Sequence, residues 1–169
     1  MPGHYTALAY IYMKLQFFSI GKPHEAYIRQ GVDDFTGRIN KYFTADWHII
    51  APPKNASVLK DAELKKQEAK AVLQLLQKDD VLILLDERGK QFSSPELAQL
   101  IQQQANESVK RVVFLIGGAF GVDEEINKRA NITWGLSKLV FPHMLVRLIL
   151  AEQVYRACTI LRNEKYHHV

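Results

Sequence analysis

The sequence predicts an α/β fold: a mainly parallel sheet with helices on both of its faces. Short apolar runs alternate with amphipathic stretches five times along the chain, the order that strand–helix–strand crossovers produce. Turn formers close the first two runs, Gly21 and Pro23 after one and Pro52-Pro53 after the other. No repeat, low-complexity tract or linker divides the chain, so residues 13–169 read as a single domain. A chain of 169 residues hides roughly 68–70% of its unfolded surface on folding, enough for a core without staples.

Leu15 to Ile20 reads as the first strand, followed by a helix over about 24–41 with Tyr27, Val32, Phe35 and Ile39 near helical spacing. Trp47 to Ala51 is the second strand. An amphipathic helix over about 61–78 then turns Leu64, Ala71, Leu75 and Leu76 inward. Val81 to Leu85 is continuously apolar, as a strand covered on both faces is. Ser93-Ser94-Pro95-Glu96 combines a capping serine, a first-turn proline and an acid at the positive helix end, so a helix runs from there to about Asn106. Arg111 to Ile116 is the fourth strand, a short helix covers about 123–130, and a strand or loop lies at 132–140. A long helix runs from Pro142 to about Leu161, with Leu145, Leu148, Ile149 and Ala151 expected on its core side.

Residues 1–12 do not share this pattern and read as a poorly ordered leader, with Met13-Lys14 as the more natural start. Apolar residues make up 47% of the chain and charged ones 24%, which excludes a disordered tail or a membrane-spanning protein. The longest apolar stretch, Val112 to Val122, is interrupted by glycines and too short to span a bilayer. A single cysteine, Cys158, excludes an internal disulfide and a cysteine-based zinc site, so a reducing cytoplasm is expected. The net charge of +4 permits a polyanionic partner without requiring one. From Lys138 onward Lys138, Arg147, Arg156, Arg162 and Lys165 face only Glu152 and Glu164, which directs attention to the C-terminal region.

The glycines at 117–121 do not make a dinucleotide fingerprint, because position 116 is Ile. Gly89-Lys90 is not a Walker loop either, since Gln91 follows and position 84 is Leu. What remains is a strand ending in exposed backbone, where a flat ligand can approach closely. Open parallel sheets bind ligands beyond the carboxyl ends of their strands, and three loops sit there: 85–90, 117–121 and 136–141. Their convergence favours a small-molecule pocket; Asp86 and Glu87 are read as solvated. His143 and Arg147 share a face of the last helix, and Glu152 with Arg156 reads as a helix-surface ion pair. Tyr166-His167-His168 offers a ring that stacks on bases and imidazoles that titrate near neutrality, and two histidines without a third ligand do not make a metal site.

Taken in order, Leu85-Asp86-Glu87-Arg88-Gly89-Lys90 with Ser93-Ser94, Phe114 through Gly121, Leu136 through His143, Arg147, Glu152 through Ala157 and Tyr166-His167 form a series. The series resembles the RlmH-type large-subunit ribosomal RNA methyltransferases of the SPOUT superfamily, and the likeness runs from Met13 to Val169. It implies a deep trefoil knot near the C-terminus, an exception to the unknotted rule. It implies S-adenosyl-L-methionine held at Leu85, Gly117, Leu136, Ser137, Lys138, Leu139, Val140 and Phe141. The implied substrate is a pseudouridine in a stem-loop of the 23S RNA, methylated on ring nitrogen N3 in the assembled ribosome. The family works as a homodimer in which one subunit's tail completes the other's site, with neither metal nor membrane. On that reading Arg147 pairs with phosphate or a developing anion, Tyr166 stacks on the base, and His167 positions it or moves its proton, with His143 nearby. A transfer-RNA methyltransferase of the same superfamily, or a catalytically silent ribosome-assembly or RNA-binding protein on the same fold, are the alternatives.

Overall fold

A computed structural model describes residues 12–168. The elements follow in the order β1 (Lys14–Ile20), α1 (Ala26–Ile39), β2 (Thr44–Ile50), a 3-10 turn (Ala56–Val58), α2 (Asp61–Leu75) and β3 (Val81–Gln91). Then come α3 (Ser94–Asn106), β4 (Arg111–Ile116), α4 (Glu124–Arg129), β5 (Ile132–Gly135) and α5 (His143–Leu161). The five strands form one sheet in the order β2-β1-β4-β3-β5, and every pairing is parallel. The α/β expectation therefore holds. Of the expected leader, residues 1–11 lie outside the described part.

Alternation along the strands sends side chains to two cores. Leu15, Phe17 and Phe114 join Ile39, Leu97, Ile101, Leu150 and Val154, so α1, α3 and α5 cover one face. Phe18, Leu82, Leu84, Val113 and Leu115 join Ala69, Val72 and Ile126, so α2 and α4 cover the other. The start of α3 closes as its sequence dictates. Ser93 Oγ accepts from the Glu96 backbone N–H at 3.2 Å, and the Glu96 carboxylate accepts from the Ser93 N–H at 2.7 Å.

Several boundaries differ from the sequence reading. The second strand begins at Thr44, because it pairs with β1 from Lys14 onward. The inward positions of α1 are Ile28, Val32 and Ile39, while Tyr27 is exposed. Those of α2 are Leu64, Glu68, Ala69 and Val72, a stripe rotated from the expected one and including the acid at 68. β3 continues to Gln91, with an irregularity after Leu85, and Lys90 and Gln91 re-pair with Trp134 and Gly135. Gly89 permits this return: a Cβ there would stand 2.6 Å from the Thr133 carbonyl. β5 is only four residues long, and 136–142 is loop.

The amino-terminal ends of the strands are tied by one buried pair. Asp80, 4% exposed, accepts from Arg111 through both carboxylate oxygens and from the Gln77 N–H at 2.7 Å. Arg111 also donates to Gln16 at 2.7 Å and to the Leu75 carbonyl at 2.8 Å, joining β1, α2, β3 and β4. Asp80→Ala leaves that guanidinium without its anion and should cost about 3–5 kcal/mol in chemical denaturation. A loss below about 1 kcal/mol, the range of a surface pair, would contradict this assignment.

Candidate functional site

A cavity of about 900 Å³ opens at the carboxyl ends of β3, β4 and β5, the edge at which an open parallel sheet receives ligands. Seven of the eight expected cofactor positions line it: Leu85, Gly117, Leu136, Ser137, Leu139, Val140 and Phe141. Lys138 lies in the same turn, closed by the Leu139 N–H donating to Ser137 Oγ at 3.0 Å, but its side chain is exposed and outside the lining. Phe120, Leu139 and Val140 leave apolar surface at the mouth.

The glycines of this edge are dictated by their neighbours. A Cβ on Gly117 would stand 2.7 Å from Val122 Cγ1, and one on Gly118 would stand 2.7 Å from a Glu68 carboxylate oxygen. Burial pushes the Glu68 carboxyl above its usual range. Across the cavity Trp134, 3% exposed, lines the wall, and its indole N–H is the one buried side-chain polar atom without a partner among the described residues. A buried donor without a partner is uncommon in folded proteins. The sequence reading missed both Trp134 and Glu68. Asp86 is held by Arg88, whose guanidinium donates at 2.8 and 3.0 Å and keeps the carboxyl below its usual range, so it is no poised acid.

Arg147 does not face solvent. It is 1% exposed, and its guanidinium donates to Ser19 Oγ and the Lys22 carbonyl, both at 2.8 Å, and contacts His24 Nδ1 at 3.2 Å. This corrects the expectation that it pairs with phosphate, since its donors point into the fold. The core stripe of α5 is Arg147, Leu150, Ala151, Val154, Ala157 and Cys158; Leu145 is exposed, and Leu148 and Ile149 are only half-buried. Gly21, at a φ of +146°, passes so close that a Cβ would sit 3.2 Å from the guanidinium. His143, one turn before Arg147, lines the cavity. Burial first, and then the Arg147 charge, holds its imidazole below the ordinary 6.5, and the same two causes lead for His24. Burial pushes the Cys158 thiol up to about 12, which leaves it inert.

Tyr166 and His167 lie at the other end of α5. The Tyr166 hydroxyl donates to Glu152 Oε1 at 3.1 Å, and its ring meets Tyr155 edge-on at 4.7 Å between centroids. Arg156 donates to the same carboxylate oxygen at 3.0 Å, lies 4.8 Å from the Tyr166 ring centre and contacts His167 Nδ1 at 3.3 Å. Glu152 and Arg156 are thus the seat of the tail, more than a surface pair. Tyr155 follows His143 by twelve helical residues, a separation of roughly 18 Å along the axis. Within one chain, then, His143 joins the cavity while Tyr166 and His167 are assembled elsewhere. Among the described residues no group of three or more His, Cys, Asp or Glu could hold a metal, and no helix is long and apolar enough to cross a membrane.

A family model described as predicted SPOUT methyltransferase matches residues 13–167. The ribosomal RNA large subunit methyltransferase H of Cytophaga hutchinsonii is 46% identical over 156 residues, covering 92% of this chain and all of its own length. The proteins of the same name from Flavobacterium johnsoniae and Parabacteroides distasonis are 42% and 38% identical, each covering 92% of this chain and 99% of its own length. Among solved structures, a probable methyltransferase from Bordetella pertussis Tohama I shares the fold, with a TM-score of 0.55 at 12% identity over 87% of this chain and 95% of that one.

The site predicts a measurable titration. The imidazole of His143 should titrate below 6.5 in NMR, and Arg147→Met should move its midpoint upward while burial keeps it below that value. Because folding disfavours these protons, the stability carried by neutral His143 and His24 is complete above about pH 6.5 and declines as the pH falls below it. A midpoint unmoved by Arg147→Met would show that the buried charge does not act on His143.

Proposed function

This chain belongs to the SPOUT methyltransferase family and is a methyltransferase, and from that premise we propose its substrate, donor and assembly. The chain methylates ring nitrogen N3 of a pseudouridine in a stem-loop of the large-subunit (23S) ribosomal RNA, in the assembled ribosome, with S-adenosyl-L-methionine as donor. One observation carries the reading. The cavity at the strand ends is bounded by seven of the eight positions the resemblance assigns to the cofactor. The names borne by the relatives, ribosomal RNA large subunit methyltransferases, support the substrate class.

The residues present fit that donor. The glycine-lined edge admits such a cofactor close to the backbone. When bound, the cofactor supplies a sulfonium methyl group electrophilic enough to need neither metal nor covalent nucleophile. The protein's task is then orientation and removal of one proton. His143, on the cavity wall and held neutral, is placed to receive the N3 proton. Exposed Lys138, beside the mouth, is placed to meet a phosphate.

The proposal includes a trefoil knot near the C-terminus and a cytoplasmic homodimer of domains spanning 13–169. Tyr166 and His167 are seated on Glu152, Tyr155 and Arg156, nine to thirteen helical residues beyond their own chain's His143, which supports their acting in the partner's cavity.

Mass mapping of 23S RNA tests the function. A strain lacking this chain should lose one methyl group on one stem-loop pseudouridine. The purified chain with S-adenosyl-L-methionine should restore it on isolated ribosomes, and the chain's binding of S-adenosyl-L-methionine, measured without ribosomes, should survive EDTA. A loss mapping to transfer RNA, or no loss at all, would overturn the proposal in favour of the alternative enzyme or of a silent binding protein.

A further inference from the structure

The seat of the tail fixes more than the position of His167. A guanidinium carries five N–H donors and no acceptor, so the 3.3 Å contact between Arg156 Nη1 and His167 Nδ1 is an N–H pointing at a lone pair. A neutral imidazole with an acceptor at Nδ1 carries its hydrogen on Nε2. Arg156 cannot easily turn away, because Glu152 receives its Nε–H at 3.0 Å. The other oxygen of Glu152 accepts from Gln153 Nε2 at 2.8 Å, and Gln153 Oε1 in turn accepts the Ser94 hydroxyl at 2.6 Å from the start of α3. The Tyr166 hydroxyl completes the group on Glu152 Oε1. Three stretches of chain thus converge on one tautomer.

We propose that Glu152 and Arg156 are positioning residues that hold His167 as an Nε2–H donor, and that His167 donates to a carbonyl oxygen flanking the reacting ring nitrogen rather than taking that nitrogen's proton. The role rests on the functional reading above. A uracil ring carries a carbonyl on each side of N3, and loss of the N3 proton spreads negative charge onto both oxygens. A fixed donor aimed at one of them stabilises that charge as it develops, while the proton leaves to another acceptor, His143 on the cavity wall.

The test has a spectroscopic arm and a kinetic one. In long-range proton–nitrogen NMR of the full chain labelled at histidine nitrogens, His167 should carry hydrogen on Nε2 alone. Arg156→Met should give a mixture that includes the Nδ1–H form. Hydrogen on Nδ1, or on both nitrogens, in the unsubstituted chain would overturn the proposal. In methylation of isolated ribosomes, His167→Gln keeps an N–H donor but accepts no ring proton, and should retain the rate to within about tenfold. His167→Glu, which offers only acceptors, should lose about 100- to 1,000-fold, the range for removing one such donor. A His167→Gln variant as inactive as His167→Glu, beside an active parent chain, would overturn the donor role alone. A parent chain that methylates no ribosomal RNA would overturn the functional reading and the role with it.

Discussion

Burial of the Arg147 guanidinium is the constraint on which the rest of the site depends. A charge removed from water costs several kcal/mol unless hydrogen bonds replace its hydration. Here Ser19, the Lys22 carbonyl and His24 replace it, and no carboxylate among the described residues pairs with it. Those bonds join α5 to the carboxyl end of β1, at the same edge as the cavity. They set where the first turn of α5 stands, and with it His143 and Val146 on the cavity wall. Leaving the charge unneutralised also has a chemical consequence, since it disfavours a second proton on His143 and His24. One residue therefore anchors the helix and helps to keep its neighbouring bases neutral.

From that anchor α5 acts as a ruler. Its first turn belongs to the cavity, and its later turns carry the Glu152, Tyr155 and Arg156 seat on which Tyr166 and His167 rest. The helix holds its two ends apart, so the chemistry at each end is built independently. Burial and then Glu152 raise the Tyr166 hydroxyl above its usual range, which keeps it a donor within the seat. On the proposed reading, a second copy of the chain is the partner that brings a tail to a cavity.

Much of this was legible in the sequence because the signals were local. Apolar runs bounded by turn residues marked the strands, and Ser93-Ser94-Pro95-Glu96 marked the start of α3. Seven cavity-lining residues followed from resemblance and from the rule that ligands bind at strand ends. Arg147 was misread because a charged residue suggests solvent, although its spacing from Leu150, Ala151, Val154 and Cys158 places it in the apolar stripe. Glu68 hid in the same way among Leu64, Ala69 and Val72. The unpartnered indole of Trp134 has no sequence signal of its own, because an N–H lacks a partner only in relation to surroundings drawn from β3 and β4. Nor could spacing reveal that the Glu152–Arg156 pair seats the tail, since Tyr166 and His167 return to it only after the chain turns beyond Arg162.

The central claim, that cavity and tail of one working site come from two chains, is tested most directly by mixed dimers. One parent lacks Tyr166 to Val169; the other carries Gly117→Val, which drives a branched side chain into Val122 at the cavity wall. The account predicts that each parent alone is inactive on isolated ribosomes and that mixed dimers, isolated through two different tags, regain methylation, because one intact cavity then meets one intact tail. Isolated mixed dimers as inactive as either parent would contradict it.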